Sequence, residues 1–114
     1  MKVTVRERDG VTILDLKGKN TIGVGDVALR EAVQEALSAG ARNILINMKD
    51  VSTIDSSGIG ELVAAYTTVT NRGGKLRLFD IPPKVGDILM ITQLVTVFDI
   101  LDDEEEAVAS FSKG

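Results

Sequence analysis

With 114 residues, 44% of them hydrophobic and 26% charged, the chain has the length and composition of one soluble domain built around one core. A formal charge of -4 excludes the basic footprint that nucleic acid or an anionic membrane surface requires, and the lack of cysteine excludes disulfides and thiolate metal sites. Histidine is also absent, so the chain cannot form a Ser-His-Asp triad, a histidine general base or a histidine-ligated metal centre.

In chain order, Val3 and Val5 alternate with Lys2, Thr4 and Arg6. This is the period of a half-buried strand, and it is too polar for the apolar core of a signal peptide. Asp9-Gly10 predicts a tight hairpin turn, after which residues 11–16 return as a second strand ended by Gly18. Residues 19–25 read as a loop, kept irregular by Asn20, Gly23 and Gly25. Asp26 is the expected N-cap of a first helix. Leu29, Ala32, Val33, Ala36 and Leu37 share one face of that helix, and Arg30, Glu31, Gln34 and Glu35 the other. Gly40 suits its C-cap.

Residues 43–48 form a third strand whose consecutive apolar residues predict burial on both faces. A polar turn follows, then a helix to about Asn71 with a buried stripe of Leu62, Val63, Tyr66 and Val69, stopped by Gly73-Gly74. Residues 75–79 give a fourth strand with Leu76 and Leu78 toward the core. Pro82-Pro83 opens a short helix whose apolar face is Val85, Ile88, Leu89 and Ile91. Val97, Phe98 and Ile100 read as a last short strand. The acidic run 102–106 reads as the solvated start of a terminal helix, docked by Ala107, Val108 and Phe111. The order ββαβαβαβα predicts an α/β fold over residues 1–114. The expected sheet is mixed and mostly parallel, with four to five strands, about four helices and an antiparallel opening hairpin. No run approaches the roughly 20 apolar residues of a membrane span.

The chemistry concentrates in Asp55-Ser56-Ser57-Gly58, between the third strand and its helix. All three polar residues are good N-caps, so one reading is purely local: they satisfy the free amides of the first turn. Three features point instead to a contact surface. The turn carries more polar residues than one cap needs. Gly58 and Gly60 lie inside the first helical turns, at a cost of up to about 1 kcal/mol each relative to alanine. The turn also follows the carboxyl end of a central strand, where open α/β sheets place their sites. Serine-hydrolase chemistry fails here: the glycine required two residues before the nucleophile is Ile54 for Ser56 and Asp55 for Ser57, and no histidine can activate either hydroxyl. A dinucleotide fingerprint at Gly23-Val24-Gly25 is broken by Ala28. No cofactor or metal is implied. A serine on the first turn suits a phosphate switch instead. The phosphoserine brings about -1.5 to -2 charges to the positive end of a helix, where they are tolerated.

The run from Asn47 to Gly60 resembles the signature of STAS domains, in particular bacterial anti-sigma factor antagonists of the SpoIIAA/RsbV type. The resemblance extends to the opening hairpin, the Gly-Gly before the fourth strand and the late Val-Phe-Asp-Ile stretch. It implies a cytoplasmic partner-switching regulator, not an enzyme, and a monomer or weak dimer. In such a protein Ser56 is phosphorylated by an anti-sigma factor that is also a serine kinase. The unphosphorylated form binds that factor, and a PP2C-type phosphatase reverses the modification. Asp55, Ser57, Gly58 and Ile59 then belong to the contact surface, with Asn20 and Thr21 contributed by the loop after the second strand. Asp55 either orients the Ser56 hydroxyl or caps the helix. Where many family members carry acidic residues in that loop, this chain has Gly18-Lys19-Asn20-Thr21. The competing reading is a constitutive scaffold module, in a signalling complex or as a lipid-transport accessory, that docks a partner without phosphorylation.

Overall fold

Asp9 and Gly10 both adopt left-handed backbone (φ 51 and 80), which turns the chain tightly enough to pair β1 (Lys2–Arg8) antiparallel with β2 (Val11–Gly18), Val5 opposite Leu14. The structure, a computed structural model, describes residues 2–18, 28–51, 56–91 and 98–112. Beyond the hairpin, strands and helices alternate. The elements are α1 (Ala28–Ser38), β3 (Asn43–Val51), α2 (Ser56–Asn71), β4 (Lys75–Phe79), α3 (Pro83–Ile91), β5 (Asp99–Leu101) and α4 (Glu104–Ser112). The sheet runs β1-β2-β3-β4-β5, and every pair after the first is parallel, as crossover connections require. Among the described residues no helix is long and apolar enough to cross a membrane.

β3 lies at the middle of this sheet, and its sequence shows why. Ile44, Leu45 and Ile46 are all fully buried, because alternate side chains enter different cores. Ile44 and Ile46 join Leu14, Leu16, Leu76 and Leu78 beneath Leu29, Val33 and Leu37 of α1, Leu62, Ala65 and Val69 of α2, and Val85 of α3. Leu45 joins Val11, Ile13 and Phe79 beneath Ala107, Val108 and Phe111 of α4. Each fully buried side chain of this size contributes about 1.5–3 kcal/mol, so the two layers fix the plane of β3 from both sides. Tyr66 and Phe98 meet edge-on, centroids 5.5 Å apart, and the Arg77 guanidinium lies 4.6 Å over the Phe111 ring.

Three expectations are corrected here. Val5 was expected on a half-buried face but is 56% exposed. It stands on an edge strand and opens on a cleft of about 680 Å³ lined also by Ala36, Ala39, Gly40 and Arg42. The acidic run is not simply a solvated helix start. Asp103 Oδ1 accepts the Glu106 amide at 2.8 Å as an N-cap, but Glu104 turns back onto β1. The last strand begins at Asp99, two residues later than expected, with Phe98 buried just ahead of it. Val97 and the predicted N-cap Asp26 lie outside the described residues.

Gly74 is fixed by close approach. Its amide donates to Val69 O at 2.9 Å, and the next amide, Lys75, donates to Arg42 O at 2.7 Å, joining the end of α2 to the start of β3. A Cβ at Gly74 would overlap that same Arg42 carbonyl and stand 2.9 Å from Val69 Cγ1. The obstacle is backbone, so Gly74→Ala should destabilise the fold by about 1–3 kcal/mol, read as a lower urea midpoint with unchanged slope.

Candidate partner-binding site at the head of helix α2

The central strand delivers the chain to α2, whose first residue is Ser56, with Ser57 next. Gly58 is buried and Ile59 is half-buried against the helix-side core. Gly60 is exposed, and among the described residues no side chain or backbone from outside its own stretch of helix comes within 4 Å of where its Cβ would stand. Leu62, fully buried one turn further on, anchors the helix. Glu61 and Arg30 pair at 2.5 Å and tie the start of α2 to α1. The first turn of α2 therefore brings together Ser56, Ser57, Gly58 and Ile59, at the carboxyl end of the parallel strands. Asp55, Asn20 and Thr21 lie outside the described residues.

The end of β3 is irregular in a specific way. Asp15 pairs with Asn47, but Lys17 pairs with Asp50, so β3 advances three residues while β2 advances two. The extra residue is a bulge in β3. Ile44, Ile46 and Met48 face the helix-side core, and unbroken alternation would put Asp50 there next. The bulge instead leaves Lys49 and Asp50 both exposed and brings Val51 into that core, 1% exposed. The Lys49 amide at the bulge donates to the side-chain Oδ1 of Asn47 at 3.0 Å.

Asn47 is itself held. Its Nδ2 donates to Asp15 Oδ1 at 2.8 Å, and Arg6 grips the same carboxylate through Nε at 2.5 Å and Nη2 at 3.0 Å. Arg6 Nη2 also donates to Glu104 Oε1 at 2.7 Å, and Arg8 Nη1 to Glu104 Oε2 at 2.8 Å. A continuous polar chain thus runs from the start of α4 across β1 and β2 to the end of β3. Burial on its own pushes the Asp15 carboxyl up, but hydrogen bonds from Arg6 and Asn47 outweigh it and hold the group below its ordinary 3.8. Chiefly through the Arg6 hydrogen bond, Glu104 is held below its ordinary 4.5. The bond to Asp15, and then that to Glu104, raises Arg6 above its usual range.

Arg6, Asp15 and Glu104 do not stand out in the sequence as part of a site, and Asn47 does so only as the first residue of the signature run. A signal was present for two of them: Asp15 and Asn47 each interrupt a run of buried apolar residues, and they are direct register partners on adjacent strands.

The profile of the STAS domain matches residues 2–107. The chain belongs to the STAS domain family. This STAS domain is 23% identical over 108 residues to the anti-sigma F factor antagonist of Paenibacillus polymyxa, covering 95% of this chain and 92% of that protein. It is 29% identical over 108 residues to the anti-sigma-B factor antagonist of Bacillus subtilis strain 168, covering 95% and 97%. Its fold superposes on the Bacillus cell fate determinant SpoIIAA in the phosphorylated form with a TM-score of 0.69, at 18% identity, over 97% of this chain and 99% of that one. At that identity the likeness to SpoIIAA concerns the fold.

Proposed function

We propose that this STAS domain is an anti-sigma factor antagonist, a binding protein switched by phosphorylation of Ser56. The observation that carries the reading is the position of Ser56 as first residue of α2, beyond the carboxyl end of the central strand and inside the family signature. Two relatives covering nearly the whole chain bear the name of anti-sigma factor antagonist, and a structure of similar fold is of a phosphorylated protein. The partner is an anti-sigma factor with serine kinase activity, and a PP2C-type phosphatase restores the binding form.

The geometry suits this role. The first turn of a helix is the positive end of its dipole, so a phosphate on Ser56 meets a favourable field without unfolding the domain. Exposed Gly60 leaves one position on the helix surface without a side chain, which lets a partner backbone come close there. Asp55, Ser57 and Ile59 form the surrounding contact, with Asn20 and Thr21 contributed from the loop after β2, while buried Gly58 belongs to the packing beneath it.

Incubation of the whole chain with ATP and the anti-sigma factor kinase of its source bacterium should add one phosphate, localised to Ser56 by peptide mass spectrometry. Ser56→Ala should abolish incorporation. A Ser56→Ala protein that reached full stoichiometry would refute the assignment.

A further inference from the structure

We propose that Asn47 is a positioning residue for the modification at Ser56: with Asp15 and Arg6 it locks the bulge that sets how β3 hands the chain to α2. The inference rests on the partner-switching reading and adds a residue to it. Asn47 does not meet the phosphate or the kinase. It acts on the strand that presents the acceptor.

The argument begins with phase. Side chains on a strand alternate, so one inserted residue exchanges the two faces of everything that follows. The bulge after Asn47 puts Val51 rather than Asp50 into the helix-side core. α2 then starts at Ser56, five positions beyond Val51. A strand end that slipped back into unbroken alternation would drive Asp50 toward that core and expel Val51. The entry to α2 would shift with it.

What opposes the slip is the double hydrogen bonding of one carboxamide. Asn47 Oδ1 accepts the Lys49 amide inside the bulge, and Asn47 Nδ2 donates to Asp15. Asp15 is only 8% exposed and cannot rotate freely, because Arg6 holds both its oxygens and is held in turn by Glu104 of α4. An amide is the side chain this position needs. A carboxylate would accept from Lys49 but repel Asp15, and an apolar residue would do neither.

The test compares the wild-type chain with Asn47→Ala, Asn47→Asp and the exchange Asp15→Asn/Asn47→Asp, at a temperature where each is folded. The exchange reverses donor and acceptor between positions 15 and 47, at the cost of the Arg6 Nη2 hydrogen bond to position 15. Two readouts are taken: hydrogen exchange at the Lys49 amide with amide chemical shifts over residues 56–60, and kcat and KM for phosphate transfer to Ser56 from ATP by the source bacterium's anti-sigma factor kinase. Asn47→Ala should speed Lys49 exchange about fivefold or more. It should also move the resonances of residues 56–60 and lower kcat/KM for transfer at least about tenfold. The exchange should restore most of both, which a general loss of stability would not.

If Asn47→Ala fails to fold, the exchange decides alone: native Lys49 protection with native transfer upholds the proposal, and native protection with lost transfer overturns it. Wild-type phosphorylation alongside an equally good Asn47→Ala substrate overturns the positioning role and leaves the partner-switching reading standing. A wild-type chain that takes no phosphate from any such kinase overturns both.

Discussion

Ser56→Asp is expected to weaken binding of the anti-sigma factor by at least about 100-fold, while fold stability changes by no more than about 1 kcal/mol. The two numbers come from the same charge in two settings. In the free domain, a carboxylate on the first residue of α2 meets the positive end of the helix dipole, a gain of about 0.3–1 kcal/mol. In the complex as proposed, that group would sit against a surface matched to a neutral hydroxyl, where desolvation and repulsion cost several-fold more. Aspartate carries a single charge and a short side chain, so phosphorylated wild type, with about -1.5 to -2 charges, should bind more weakly still. Calorimetric titration of wild type, Ser56→Asp and Ser56→Ala against the anti-sigma factor separates charge from loss of the hydroxyl. Ser56→Ala should bind within about tenfold of wild type, the scale of one hydrogen bond. Wild-type affinity in Ser56→Asp would remove charge from the mechanism.

How much of this could be read from the sequence depended on how far apart the interacting residues lie. Strand β3 was legible because Ile44, Leu45 and Ile46 announce burial on both faces within three positions, and the observed packing sends neighbours into different cores. The hairpin was legible because the positive φ that Asp9-Gly10 adopts is a property of two adjacent residues. The head of α2 was legible through a contiguous motif. The polar chain beneath it was not, because Arg6 and Glu104 are 98 positions apart and no local periodicity joins them. The same holds for the acidic run: taken alone, five carboxylates at a helix start read as solvated, and only the fold brings Arg6 and Arg8 to Glu104. The bulge was hidden for a different reason. It shows only when the register of β2 on β3 is known, although Asp50 in the frame of Ile44, Ile46 and Met48 was a sign that the alternation had to break.

Arg6→Met should lower stability at neutral pH by about 2 kcal/mol, or about 8 °C in Tm, with the deficit shrinking as pH falls below the ordinary carboxylate range. Methionine keeps the length and apolar stem and removes the guanidinium, leaving Asp15 buried with only Asn47 and Glu104 without one of its two arginines. The Arg6 side chain is 41% exposed, which holds the figure below the roughly 3–5 kcal/mol of a fully buried pair. The pH dependence follows from the direction of the shifts. Asp15 and Glu104 are held below their ordinary 3.8 and 4.5 in the folded protein, so each contributes its stability in full above those values. Each contribution is lost as pH falls through the lower folded value. Wild type should therefore lose stability steeply in acid. In Arg6→Met the cation is gone and burial favours the protonated Asp15, so acid should cost the variant far less. Thermal melts from neutral pH down to about pH 3 at fixed ionic strength would give two curves that converge toward acid. Arg6→Lys should fall between them at neutral pH, since an ammonium keeps the charge but cannot span both oxygens of Asp15 and reach Glu104. Parallel curves, separated by the same amount throughout, would mean that Arg6 stabilises the fold through the packing of its stem and that the ionic chain to α4 is incidental.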